Sequence, residues 1–168
     1  MTIVRHVLLL IFALLVQTSW AHTLDIFGLR PDFTLLLVVY VGIVSGQVEA
    51  TILGFVSGFL LDVYNPAFMG VNALSNAVIG FAVGYSREGI VTDELRVLGL
   101  VVFIAGLIQN LIFFVFSSFS NLGAILPAFV RTGIGSALYS AVIGILLLLA
   151  ASIRFQGGLR LDVRRLHE

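Results

Sequence analysis

Along the chain, long apolar runs alternate with short polar breaks, and the runs have the length scale of a bilayer. A spanning helix needs about 20 mostly apolar residues. Six runs approach or meet that length, at 3–21, 32–45, 47–64, 70–85, 95–116 and 127–153. The pattern predicts an all-α polytopic membrane protein, a six-transmembrane-helix bundle that forms a single domain over 1–168, with 154–168 as a basic tail. The first run has the outline of a signal peptide, with Arg5 before a Leu-rich stretch and Ser19-Trp20-Ala21 as a small-x-small site. Trp20 suits an interfacial anchor, and the run is read as a helix. The apolar segment 31–64 is too long for one span and short for two ordinary ones. Ser45-Gly46-Gln47, followed by Glu49, divides it into two short helices joined by a tight hairpin, and Asn65-Pro66 ends the second.

Charge placement tests the count. Arginines concentrate on cytoplasmic flanks. Six spans put both termini on one side, together with Arg5, Arg87, Arg96, Arg154, Arg160, Arg164 and Arg165, and leave Arg30 and Arg131 opposite. Five spans would split the basic cluster between the two faces. Both termini are therefore expected in the cytoplasm, and the basic tail serves as an orientation signal or lies against anionic headgroups.

Composition agrees with a lipid solvent. The chain is 60% hydrophobic and 11% charged, with a mean hydropathy of +1.13. A soluble domain of this length must coat its core with more charge than that. The net charge of zero gives no electrostatic case for nucleic acid. There is no cysteine, which removes thiolate chemistry and disulfides. His6, His22 and His167 are too scattered for a metal site and are expected to be solvated or interfacial. Ser57, Ser75, Ser136 and Ser140 have no histidine at membrane depth, and no paired aspartates, His-Glu-x-x-His or phosphate loop occurs. No catalytic residue, metal or cofactor is expected.

Small residues recur every fourth position. They form a stripe on the third span (Gly46, Ala50, Gly54, Gly58, ending in Asp62), another on the fourth (Asn72, Asn76, Gly80, Gly84) and a third on the sixth (Gly133, Ala137, Ala141, beside Ser136, Ser140 and Gly144). Small residues let helix backbones approach in a membrane, where apolar surface alone drives no association. Spans three, four and six are expected to pack closely, with one and five peripheral and Phe113, Phe114 and Phe116 turned to lipid or a partner. Charges at membrane depth need partners. Asp62 and Arg131 fall in the same outer leaflet and are expected to pair or share a polar pocket, unless each reaches interfacial water separately. Glu49 is expected to snorkel or cap its helix. Of the adjacent amides Gln109 and Asn110, one is expected to bond across helices and the other to line a cavity or meet another subunit. Two classes remain, a scaffold that binds other proteins and a small-molecule binding or transport subunit, and the residues alone do not separate them.

The runs Arg30-Pro31-Asp32-Phe33-Thr34-Leu35-Leu36-Leu37 and Gly54-Phe55-Val56-Ser57-Gly58-Phe59-Leu60-Leu61-Asp62, and Gly70 with Asn72-Ala73-Leu74, carry a resemblance. Together they resemble the MreD family, the rod-shape-determining membrane proteins of bacteria. The matching features are a Pro-Asp start to the second span, a Gly-Phe-x-x-Gly-x-x-x-Asp third span and a Gly-x-x-Ala-Leu start to the fourth. The resemblance implies a non-enzymatic component of the cell-elongation (rod) complex in the bacterial cytoplasmic (inner) membrane. It implies MreC as partner and, through it, MreB filaments, RodA and a penicillin-binding protein. The implied fold is similar to the vitamin-binding S-components of energy-coupling-factor transporters. Pro31, Asp32, Gly54, Phe55, Gly58, Asp62 and Gly70 are then signature positions without catalytic roles.

Overall fold

The computed structural model describes residues 2–19, 25, 28–64, 66–89, 95–117, 126–127 and 129–154. Trp20, His22, Asn65, His167 and the tail arginines Arg160, Arg164 and Arg165 lie outside the described residues. The fold is all-helical, with α1 (Thr2–Ser19), α2 (Phe33–Ser45), α3 (Gln47–Tyr64), α4 (Val71–Ser86), α5 (Leu95–Ser117) and α6 (Ile134–Arg154). Three helical segments are long and apolar enough to cross a membrane, Gln47–Tyr64, Leu95–Phe116 and Phe129–Ala150; Val4–Ser19 and Phe33–Ser45 are shorter apolar helices.

Only Gly46 separates α2 from α3. Its φ of +92° lies in the left-handed region, where a side chain is strained, and its N–H closes α2 by donating to the Gly42 carbonyl at 3.1 Å. The contacts fix the direction of every helix. His6 of α1 meets Ser45 at the end of α2, and Gln17 meets Phe33 at its start, so α1 and α2 are antiparallel. Gly84 packs on Gln47 and Gly58 on Asn72, so α3 and α4 are antiparallel. Gly99 faces Ile145 and Gly106 faces Ala137, so α5 and α6 are too.

The tightest seam is α3 against α4. A Cβ at Gly54, Gly58, Gly80 or Gly84 would come closer than 3.0 Å to backbone of the opposite helix, around Asn76, Asn72, Ala50 and Gln47 respectively. Those pairs step down the seam three or four residues at a time. Backbone contact at this range gains dispersion along the whole hairpin, which in lipid replaces the hydrophobic drive. The sixth helix packs elsewhere. Its small stripe, with Gly133, Ala137 and Ala141 buried, faces α5, where Ala137 supplies the contact to Gly106. The expected grouping of spans three, four and six thus gives way to two hairpins, α3–α4 and α5–α6. Between them sits α2, whose Leu35, Val38 and Val41 are almost wholly enclosed with Ile79 and Val83 of α4 and Val102 and Ala105 of α5. A helix buried all round is apolar all round, which explains why α2 carries no stripe to read.

Helix lengths then create a cavity. At 1.5 Å per residue the 13 residues of α2 extend about 20 Å, whereas the 23 of α5 extend about 35 Å. α2 starts beside Gln109 of α5 and Ser140 of α6 and runs toward the end that holds His6, Ser45 and Arg87. Beyond its first residue the surrounding helices continue without it.

Candidate functional site

Two aspartates organise the end of the bundle above α2. Asp62 closes the α3–α4 hairpin. Helix α4 begins after Gly70, whose φ of +91° makes the turn and whose lack of a side chain leaves the helix start without a local cap. Asp62 supplies that cap from α3. Its carboxylate accepts from the backbone N–H groups of Gly70 (2.9 Å), Asn72 (3.2 Å) and Ala73 (3.0 Å) and from Asn72 Nδ2 (2.8 Å). Free N–H groups and the positive end of the helix dipole hold an anion there. Asp62 is 0% exposed. The expected pairing with Arg131 is not what the structure has: both carboxylate oxygens are taken by the start of α4, and Arg131 is exposed in the π-helical turn Phe129–Gly133. Backbone donors at the start of the next helix, eight to eleven positions along the chain, satisfy the charge without a second ion.

Asp32 begins α2. One oxygen, Oδ1, performs the N-cap, accepting from Leu35 N–H at 2.8 Å and from the Thr34 hydroxyl at 2.6 Å. The other, Oδ2, accepts from Gln109 Nε2 of α5 at 2.7 Å, and the same nitrogen donates to Asn76 Oδ1 of α4 at 2.9 Å. The Asp32 N–H donates to Ser140 Oγ of α6 at 2.9 Å, and the Phe33 N–H to Gln17 Oε1 of α1 at 2.8 Å. The start of α2 is therefore tied directly to α1, α5 and α6, and through Gln109 to α4. Buried Pro31, which has no N–H to satisfy, precedes it. Asn76 Nδ2 is fully buried and has no acceptor.

Above this knot lies a cavity of about 430 Å³ lined by residues of α1, α4, α5 and α6 together with the segment before α2. Its floor holds Asp32 and Gln109, its sides Asn72, Asn110, Ser136 and Ser140, and Phe113 and Phe114 form an apolar wall. These two rings belong to an edge-to-face series, Phe68–Phe113–Phe114–Phe129, with centroids 5.6, 5.9 and 6.5 Å apart. They are half-buried and line the cavity, so of the three rings expected to face lipid or a partner only Phe116 is exposed. At the rim Arg30 Nε donates to Asp25 Oδ2 at 2.8 Å. Gln109 bonds across helices, whereas Asn110 lines the cavity and donates to Gly106 O of its own helix at 2.8 Å.

Histidine placement departs from expectation at the other end. His6 is 7% exposed; its Nδ1 lies 3.2 Å from Glu49 Oε2 and its Nε2 3.3 Å from Ser45 Oγ. The contact clasps α1 to the α2–α3 corner, so His6 is packed and Glu49 serves it instead of capping α3. Phe55 points outward and stacks with Phe59 at 6.2 Å, both rings exposed on the outer face of α3. The contacts made by Gln17, Thr34 and Ser45 are not visible in the sequence, because polar residues near helix ends read as boundary markers. Among the described residues no three His, Asp or Glu side chains gather as a metal site.

Three apolar helical segments of membrane length, joined with a glycine hairpin in backbone contact, define the class as a helical membrane protein. The chain belongs to the family of the rod shape-determining protein MreD, whose model matches residues 1–153. Membership ties it to the determination of rod shape. No curated protein and no solved structure matches the chain.

Proposed function

We propose that this protein is a non-catalytic scaffold of the bacterial cell-elongation complex. In this reading it crosses the cytoplasmic membrane six times with both termini in the cytoplasm. It binds MreC, and through MreC it is joined to MreB filaments, RodA and a penicillin-binding protein during peptidoglycan synthesis. The family match over 1–153 is the observation that carries this reading. The arginine asymmetry supports the orientation: Arg5 near the start of α1, Arg87 after α4, Arg96 in the first turn of α5 and Arg154 at the end of α6 would all face the cytoplasm. The cavity above Asp32 would then open outward, in the leaflet where a partner's extracytoplasmic portion begins.

A cavity of about 430 Å³ also falls in the size range of small-molecule sites, which favours a second reading as the ligand-binding subunit of a vitamin-type transporter. Affinity purification of the tagged full chain from membranes separates the two. The scaffold reading expects a single-span partner with a coiled-coil extracytoplasmic region. Recovery of an ATPase module with a bound vitamin would replace it with the second.

A further inference from the structure

The scaffold reading leaves open what the cavity above Asp32 receives. We infer that it binds a cationic nitrogen group, a guanidinium or an alkylammonium. Capping α2 requires one oxygen, and Asp32 Oδ1 performs it through Leu35 and Thr34. Serine or asparagine would cap as well. The second oxygen is held on the cavity floor by a single donor, the Gln109 amide. A carboxylate oxygen accepts more than one hydrogen bond, so Oδ2 retains capacity toward the cavity.

The charge balance of the lining has one sign. Arg30 is paired with Asp25 at the rim, and no cation lies within ion-pair distance of Asp32 among the described residues. Among the described lining residues the formal charges of Asp25, Arg30 and Asp32 sum to one negative, and the start of α2 answers it on the Oδ1 side. In an environment less polarisable than water that charge attracts a cation far more strongly than a surface carboxylate does.

The neutral groups point the same way. Gln109 spends both amide hydrogens, on Asp32 and Asn76, which leaves Oε1 as its only remaining function, an acceptor. The Asn72 amide gives one hydrogen to Asp62 and the Asn110 amide one to Gly106, and the side-chain oxygen of each adds an acceptor to the lining. Acceptors around a carboxylate suit a multi-donor cation, and a planar guanidinium forks between two of them. Phe113 and Phe114 supply apolar wall for the alkyl stem. The volume of about 430 Å³ holds such a side chain with adjoining atoms.

The test uses the purified full chain in detergent, titrated with methylguanidinium and methylammonium chloride against neutral methylurea, with binding followed by ligand-detected NMR. Both cations are expected to bind and methylurea to bind at least tenfold more weakly. Asp32→Asn, which keeps a good N-cap, should weaken the cations at least tenfold, while Glu49→Gln, at the opposite end of the bundle, should leave them unchanged. Equal binding of methylurea, or cation binding that survives Asp32→Asn, overturns the inference without touching the scaffold reading. The source of the cation is read in cells, with a photo-crosslinking residue in place of Ser136. A protein adduct beside an arginine or lysine identifies a partner side chain, and a co-purifying low-mass amine identifies a free ligand. Adducts to lipid acyl chains alone would contradict cation occupancy.

Discussion

Replacing Gly58 with alanine adds one methyl group where none fits. The new Cβ would meet Ala73 N at 2.5 Å and backbone atoms of Asn72 closer still, whereas ordinary contact begins at 3.4 Å. Backbone in the middle of a hairpin cannot swing aside as a side chain does, so α3 and α4 must part locally by about 1 Å, the shortfall between those distances. Overpacking of this kind costs roughly 1–3 kcal/mol. Parting also stretches the bonds from Gly70 and Ala73 to Asp62, one turn further along, and hydrogen bonds to a charged group contribute about 1.5–3 kcal/mol each. Alanine returns about 1 kcal/mol of helix propensity. The net expectation is a loss of about 2–4 kcal/mol, or a fall in Tm on the order of 5–15 °C by the enthalpy scaling of a chain this long. Gly89→Ala is the matched control, because nothing lies within 4 Å of its added methyl. Thermal unfolding of both variants in one detergent reads the difference. A Gly58→Ala protein as stable as Gly89→Ala would refute the backbone-contact account of the seam.

The remaining predictions probe the two aspartates and the clasp. Asp62→Asn removes the charge that caps α4 and should lower unfolding stability by roughly 2–3 kcal/mol, whereas Arg131→Gln should stay within about 0.5 kcal/mol of the native protein; comparable losses in both would restore the ion pair. Gly70→Ala should cost about 1 kcal/mol through its positive φ alone, although the site has open space, and Gly70→Asn should cost less. His6→Ala should loosen α1 from the rest of the bundle, seen as faster proteolysis or amide exchange confined to 2–19, with α3 and α4 protected as before.

The number and type of helices are legible in the sequence because apolar runs alternate with polar breaks, although only three of the helical segments reach the length of a membrane span. The break at Gly46 is legible because glycine between polar neighbours marks a turn. The glycine stripe of α3 shows that a close contact exists, but small residues are silent about which helix supplies the other side. That is why the stripe of α6 invites the wrong neighbour. Asp62 illustrates a deeper limit. A carboxylate next to a membrane suggests an opposite charge, yet its partners are backbone N–H groups, which every residue carries and no sequence advertises. The cavity is illegible for a similar reason: it exists because α2 is short relative to α5, and relative depth is a property of the packed bundle. Asp32 is marked by the Pro-Asp start of its helix, but its second role appears only when Gln109, 77 positions away, arrives beside it.

Depletion of the protein in a rod-shaped host that depends on it, followed by measurement of cell width, tests the scaffold account most directly. The account predicts that rods widen and round into spheres, and that the native chain restores them. Unchanged width with a loss of vitamin uptake would contradict it.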